Sequence, residues 1–279
     1  MHPALSARPL VLLAGVSVMA SLACDVTIRD GDIKDVSVHG RASQEWRRQY
    51  GLADGGRVEI VNASGSIDVA VGPPNRVEVV AVLEAQAMTE ARAKEILDET
   101  TLEETATSDH IRIATARRRR GGGLDVRFTV TLPAGTRLEM TGNDGTLKAH
   151  GLTGHVRAMV VNGGVELTAM TGTIDAAAVN GSISVKMAEV SGPMRLESTN
   201  GRIALELPKS SKATLNVRSV NGGIAVTGLN TEEGEGGRRI RTLESALNGG
   251  GPEIDVRVTN GRISIAGVEN PVPGSPASR

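Results

Sequence analysis

The chain has 279 residues, with 31 basic and 32 acidic side chains intermixed along it and a formal net charge of −1. No basic segment dominates, so the composition excludes a dedicated nucleic-acid-binding protein. Aromatic residues make up only 1% of the chain, whereas glycine occurs 34 times. A globular core usually depends on aromatic bulk, so this composition favours a thin interior filled by aliphatic side chains.

Residues 1–23 have the pattern of an export signal, in which Arg8 precedes an apolar run. This run is shorter than the roughly twenty residues that a membrane-spanning helix needs. The only cysteine, Cys24, directly follows Ser-Leu-Ala, and the sequence there resembles a bacterial lipoprotein cleavage box, in which the cysteine becomes the lipidated first residue. The alternative is an ordinary signal peptide with an incidental thiol. The resemblance implies a mature protein anchored to membrane lipid through its amino terminus.

Residues 24–56 are polar and irregular, and we predict an N-terminal tether in which Trp46 packs as an anchor. An N-terminal β region is predicted over residues 57–140, because apolar and polar residues alternate from Arg57 onward. Asn62 marks an early, degenerate copy of the repeat that follows later in the chain.

One short helix is predicted near residues 89–99, where Thr89 is suited to be the N-cap and Ala93, Ile96 and Leu97 lie near helical spacing. Repeat arrays need capping at their open ends. We therefore expect the helix to lie across an end of the stack and to shield the edge of the first coil.

A strongly cationic loop, with four arginines followed by three glycines, separates two predicted strands. A solvated hairpin tip is the ordinary interpretation of such a loop. The alternative is that Arg117, Arg118, Arg119 and Arg120 contact an anionic envelope glycolipid or lipid headgroup.

A short phrase returns through the second half of the chain: an asparagine, small residues ending in glycine, and an aliphatic residue that starts an alternating run. From Asn143 to Asn162, Asn180, Asn200 and Asn221 the steps are 19, 18, 20 and 21 residues, and Asn260 lies 39 further on. A period of this size is typical of stacked structural units.

Two architectures fit this pattern. Asn-Gly between alternating apolar runs is a strong hairpin signal, so an antiparallel β-meander or sandwich is one interpretation. The other is an all-β, β-solenoid-like stack of about 20-residue repeats over residues 141–268, with equivalent positions of successive coils about 4.8 Å apart. We favour the solenoid because it explains the recurrence of asparagine, whose amides can hydrogen-bond along a stack as a ladder. The predicted ladder positions are Asn62, Asn143, Asn162, Asn180, Asn200, Asn221 and Asn260.

Residues 230–251 interrupt the even spacing with a polar, glycine-rich insertion. We expect this insertion to replace a coil or to protrude from it as a loop. Residues 269–279 are rich in proline and serine, contain no core-forming residues, and are predicted to be disordered.

Candidates for catalysis or metal binding are few. Asp144, His150 and His155 fall within twelve residues of one another, but scattered surface histidines are the commoner case. The acidic residues expected at solvated, outward strand positions are Asp68, Asp175 and Asp255. The sequence contains no nucleophile elbow, phosphate-cradling loop or paired zinc motif. We therefore predict no catalytic residues, no metal site and no cofactor, and hence a protein that is not an enzyme.

The recurrent Asn-Gly-Xaa-Ile/Val phrase, the exported amino terminus, the helix after RVEVVAVLEA and the segment LDVRFTVTLPAGTRLEM together resemble the bacterial putative adhesin family. The similarity covers about Arg57 to Val268. It implies a β-solenoid-like fold, an extracytoplasmic location and an adhesion or structural role.

The sequence is thus interpreted as a membrane-anchored lipoprotein of the cell envelope, facing the periplasm or lying on the cell surface. It would be non-enzymatic and would present a β-repeat surface to an envelope glycan or protein. Two alternatives remain open: a β-helix carbohydrate-active enzyme, and an envelope-stress sensor partner that binds another membrane protein.

Overall fold

The computed structural model describes residues 17–29, 32–117, 123–230 and 241–269, with side chains from residue 40 onward except that of Arg117. The first half of the chain contains β1 (Ser17–Arg29), β2 (Asp32–Gly51), β3 (Arg57–Ser64), β4 (Ile67–Val71), β5 (Arg76–Ala87), α1 (Glu90–Asp98), β6 (Thr100–Ala106), β7 (His110–Arg117) and β8 (Gly123–Leu132). The repeats contain β9 (Arg137–His150), β10 (Val156–Thr171), β11 (Ile174–Asn180), β12 (Ile183–Glu189), β13 (Met194–Pro208), β14 (Ala213–Thr227), β15 (Thr242–Leu247) and β16 (Glu253–Val268).

Each repeat forms one coil with two arms, which meet at the bend where the Asn-Gly phrase lies. Neighbouring coils pair in parallel through both arms: Val156 of β10 lies opposite Ile174 of β11, and Val165 lies opposite Ile183 of β12. Parallel pairing also joins β9 to β10, β11 and β12 to β13, and β16 to both β13 and β14. A meander would pair successive repeats antiparallel. The predicted β-solenoid-like stack with one short helix is therefore confirmed, and the meander is ruled out.

The interior consists of aliphatic side chains that lie in rows, each row formed by equivalent positions of successive coils. Alternation in each arm directs every second side chain inward, and both arms contribute to one continuous hydrophobic cluster. The first inward position after the bend illustrates the register, with a row of buried residues on successive coils: Leu147, Val165, Ile183, Ile203, Ile263 and Ile224. Complete burial of one such side chain contributes about 1.5–3 kcal/mol, so these rows supply the main force that holds the coils together.

The first coil is formed by β3 and β4, which pair in parallel with the two arms of β9. The degenerate repeat copy that the sequence predicts around Asn62 is thus a coil of the stack. Residues 72–136 separate this coil from β9, and strands from this segment, together with β1 and β2, extend both arms outward. Beside the first arm lie β7 and then β6, and beside the second arm lie β8, β5, β2 and β1.

Residues 32–51, which the sequence assigns to an irregular tether, instead form the long strand β2, paired antiparallel with β5. Ala42, Trp46 and Tyr50 on this strand are buried. Only polar and charged residues occupy the positions between these widely spaced apolar residues, so the sequence lacks the alternation that normally identifies a strand.

The one helix in the described part of the chain lies where the sequence predicts it. Thr89 is its N-cap, with its Oγ1 accepting a hydrogen bond from the backbone N–H of Arg92 at 3.2 Å. The helix buries Ala93, Ile96 and Leu97 against β2, β5 and β6. Because β2 and β6 extend different arms, the helix closes the interior at the amino-terminal end of the stack.

The coils at the other end do not follow chain order. β16, the last strand in the sequence, lies between β13 and β14, and β15 pairs antiparallel with the outer edge of β14. The insertion at residues 230–251 neither replaces a coil nor forms only a loop, because residues 242–247 within it form β15. Residues 231–240 of the insertion and the predicted disordered tail from residue 270 lie outside the described residues.

Candidate interaction surface

A ladder of amide side chains follows the bend of the stack across six coils. Each amide Nδ2 donates to the side-chain oxygen of the preceding coil, with N···O distances of 2.8–2.9 Å. The order along the stack is Asp144, Asn162, Asn180, Asn200, Asn260 and Asn221. All six side chains are exposed. The five bonds run in one direction and end on the carboxylate of Asp144, which accepts the first of them.

Two of the seven predicted ladder asparagines are not members of this ladder. Asn143 precedes the true ladder position and donates to the other carboxylate oxygen of Asp144 at 2.9 Å. Asn62 is buried, and its Nδ2 donates to the backbone carbonyl of Val126 at 2.7 Å. In the first coil, the position equivalent to the ladder residues is occupied by Ser64, which lies opposite Asp144.

The glycine after each ladder residue permits the coils to approach closely. A Cβ added to Gly181 would lie 1.5 Å from the carbonyl oxygen of Gly163, and the corresponding distances at the other glycines are 1.6–2.0 Å, except at Gly65, where the Cβ would lie 2.3 Å from the carbonyl oxygen of Val126. No side chain fits at such distances. The members of this glycine stack are Gly65, Gly145, Gly163, Gly181, Gly201, Gly261 and Gly222. Asn-Gly therefore marks a stacking position here and not a hairpin turn.

The outer face of the first arm carries a row of charged residues that are largely neutralised by one another. In stack order the row is Arg112, Glu59, Glu139, Arg157, Asp175, Arg195 and Asp255. Arg112 Nε lies 3.0 Å from Glu59 Oε1, and Arg157 Nε lies 3.6 Å from Asp175 Oδ2. Opposite charges on adjacent strands favour one register, so this row supports the alignment of the coils.

Closer to the bend, the same face becomes apolar. A strip of residues, each one position before a ladder asparagine, consists of Val161, Val179, Thr199, Thr259 and Val220. Its valines are 40%, 44% and 50% exposed, and they are three of the five large hydrophobic side chains exposed in the described chain. We call this set the valine strip. A shallow groove of about 520 Å³ follows it and is also lined by Met159, Ala177, Glu197 and Arg257.

A polar cluster joins the two arms at the amino-terminal end of the stack. Tyr50 on β2 donates its hydroxyl hydrogen to Glu104 on β6, with an O···O distance of 2.8 Å. Arg48 lies 3.4 Å from the same carboxylate and 4.8 Å from the centroid of the Trp46 ring. Burial and the bond to Glu104 raise the pKa of the Tyr50 hydroxyl well above its ordinary value of 10.0. The sequence did not indicate this cluster, because its members are far apart in the chain.

The remaining predicted sites are only partly described. The backbone of Cys24 lies in β1 opposite Val38, and β1 spans the predicted cleavage point. For the arginine loop, only the backbone of Arg117 is described, at the end of β7. Arg118, Arg119 and Arg120 lie outside the described residues.

The candidate acid and histidine side chains are not brought together. Asp144 belongs to the amide ladder, His150 ends β9, and His155 lies at the opposite bend in a small cavity with Arg57 and Arg137. Among the side chains that are described, no three of His, Cys, Asp and Glu are placed to hold a metal ion. Within the same part of the chain, the structure has no helix with the length and hydropathy to span a bilayer.

The chain is similar to several solved structures. A putative cell adhesion protein from Clostridium sporogenes has 11% sequence identity and a TM-score of 0.42, covering 80% of this chain and 100% of its own. A putative adhesin from Bacteroides fragilis has 10% identity and a TM-score of 0.37, covering 80% and 97%. A putative lipid-binding protein from Parabacteroides distasonis has 11% identity and a TM-score of 0.28, covering 81% and 97%.

None of the curated proteins matches the chain in sequence. A family profile does match, over residues 58–266, which begins in β3 of the first coil and ends in β16. The matched segment is therefore the entire two-armed stack together with the helix and strands inserted after its first coil. On this evidence the chain belongs to the Toastrack DUF4097 family.

Proposed function

We propose that this protein is a non-enzymatic interaction module of the cell envelope, anchored in the membrane through a lipidated Cys24. In this proposal the stack is a rigid frame, and the valine strip on its first arm is the face that binds a partner. The amide ladder and the glycine stack keep the strip residues on adjacent coils about 4.8 Å apart. Such a frame can present a long, regular surface without any enclosed site.

The observation that carries the proposal is the valine strip. The charged residues beside it are paired: Arg195 lies 2.7 Å from Glu197, and Arg257 lies 2.7 Å from Asp255. Exposed aliphatic side chains collected in one row, against a background of neutralised charge, are typical of an interaction surface. Single exposed hydrophobic residues scattered over a surface would carry no such meaning.

The chemistry of the strip favours a protein partner over a glycan. Sugar rings are commonly bound by stacking on aromatic side chains, but the three aromatic residues of the chain, Trp46, Tyr50 and Phe128, are all buried. Valine and threonine at strand spacing instead match the side chains of an extended peptide or of another β-sheet face. We therefore propose a protein partner on the envelope.

A photocrosslinking experiment in intact cells tests the strip. A photoreactive residue at position 179 is expected to give one discrete crosslinked species, and Val161→Lys is expected to abolish it. Val71 is 43% exposed but lies outside the strip, so the same residue at position 71 is the matched control. Equal crosslinking from positions 179 and 71, or crosslinking that survives Val161→Lys, would contradict the proposal.

The anchor is tested separately by metabolic labelling with a fatty-acid probe. The native chain is expected to incorporate the label and to fractionate with membranes. Cys24→Ala is expected to lose both properties, because no other cysteine exists in the chain. An unlabelled native chain would remove the anchor from the proposal without affecting the strip.

A further inference from the structure

One opposed pair of like-charged residues on the outer faces differs from the others, because neither member has an ion-pair partner among the described side chains. Arg202 on β13 and Arg262 on β16 lie directly opposite each other, immediately after the glycine stack, and both are exposed. Like charges at opposed positions of adjacent strands are destabilising. On the same arm, by contrast, Lys148 lies 2.8 Å from Glu166, a carboxylate on the adjacent coil.

Nothing in the described chain neutralises this pair. Neither guanidinium has a carboxylate within ion-pairing distance among the residues whose side chains are described. The nearest acidic position on the same strand is Glu206, roughly 13 Å along it, and that carboxylate already lies 3.0 Å from Lys186.

The neighbours of the two arginines are small or neutral. At the same register lie Ser182 on the preceding coil and Gly223 on the following one. A Cβ built on Gly223 would meet nothing within 4 Å, so the space beside the guanidinium groups is open. We call Arg202, Arg262 and Ser182 the arginine corner.

We propose that the arginine corner binds a phosphate group. The two arginine backbones lie about 4.8 Å apart, which lets both guanidinium groups donate to oxygens of one phosphate, and arginine suits this because its fork of N–H donors matches the oxyanion. The Ser182 hydroxyl, on the adjacent coil, supplies a further donor. A bound phosphate neutralises the charges of the two arginines and so relieves their repulsion, which explains why two arginines can lie opposite each other here. The phosphate can belong to an anionic lipid headgroup or to a soluble phosphate compound.

This inference does not depend on the valine strip, which lies on the other arm of the coils. The test uses the purified full chain with two probes: inorganic phosphate, followed by isothermal titration, and vesicles of phosphatidylglycerol in phosphatidylcholine, followed by cosedimentation. Vesicles of phosphatidylcholine alone provide the baseline. The test variant is R202Q/R262Q, and the matched control is R157Q/R195Q, which removes the same charge from arginines that already have carboxylate partners.

We expect R202Q/R262Q to weaken binding of at least one probe by about tenfold or more, and R157Q/R195Q to change it less than about twofold. Loss of vesicle binding alone identifies a lipid headgroup as the source, and loss of phosphate binding identifies a soluble compound. Absence of binding of both probes to the native chain, or equal losses in the two double variants, overturns the proposal. Without phosphate, the unfolding midpoint of R202Q/R262Q should equal or exceed that of the native chain, and a clear decrease would also overturn it.

Discussion

The amide ladder can be tested at its middle with Asn180→Ala. The amide of Asn180 donates to Asn162 Oδ1 and accepts from Asn200 Nδ2, both at 2.9 Å. The substitution therefore removes two hydrogen bonds at once. A typical protein hydrogen bond contributes about 0.5–1.5 kcal/mol net, and the exposed position allows water to replace part of the loss. We expect a decrease of about 1–2 kcal/mol in the free energy of unfolding.

Two matched substitutions make the magnitude interpretable. Asn221 is the last member of the ladder and makes a single ladder bond, to Asn260 at 2.8 Å. Asn221→Ala should therefore decrease the stability by about half as much as Asn180→Ala. Asn143 is exposed and lies outside the ladder, so Asn143→Ala should change the stability by less than about 0.5 kcal/mol.

Urea unfolding, followed by far-UV circular dichroism, measures all three variants on one scale. The reasoning requires the order Asn180→Ala, Asn221→Ala, Asn143→Ala, from most to least destabilised. If Asn180→Ala is no less stable than Asn143→Ala, the ladder contributes nothing to the stability of the stack. If Asn180→Ala and Asn221→Ala decrease the free energy of unfolding equally, the contributions of the individual hydrogen bonds are not additive along the ladder.

Three further outcomes follow from the structure. Gly181→Ala should fail to accumulate as folded protein, because its Cβ would lie 1.5 Å from a carbonyl oxygen, whereas Gly223→Ala should fold normally because its Cβ meets nothing; equal expression and thermal midpoints would refute the glycine stack. Tyr50 is the only tyrosine, and its raised pKa means that the folded state holds its proton more tightly than the unfolded state does, so stability should fall as the pH rises above about 10. Its ultraviolet ionisation signal should then appear only together with alkaline unfolding, and ionisation at about pH 10 in the folded protein would contradict this. Thr89→Ala should decrease the unfolding free energy by about 1 kcal/mol through loss of the N-cap bond, which thermal unfolding would detect.

The repeat architecture was predictable from the sequence because its determinants are local. The period placed Asn162, Asn180 and Asn200 at equivalent positions, where a parallel stack lets their amides hydrogen-bond in a ladder. Asn143 was misassigned because the repeats were aligned on asparagine. Aligning the repeats on the stacked glycine, such as Gly145 or Gly181, would have placed Asp144 at the ladder position. The glycine is the better guide because the close approach of the coils admits no other residue there, whereas a hydrogen bond can be accepted by either an amide or a carboxylate.

The elements that sequence reasoning missed depend on distant contacts. β2 was overlooked because the elements that pack against it, including β5 and α1, are far from it in the sequence. The position of β16 has no local signature, since a strand inserted between β13 and β14 has the same alternation as one added at the end. The valine strip and the arginine corner likewise exist only once the coils are in register.

The position of β16 also has a consequence for how the protein is made. A chain synthesised from its amino terminus completes β13 and β14 before β16, so these two coils cannot acquire their final neighbours until the last strand has been made. Until then the aliphatic rows at this end lack their middle member, including Ile263 between Ile203 and Ile224. A product truncated before residue 253 would expose these rows to proteases, so only chains synthesised to the end of β16 would persist.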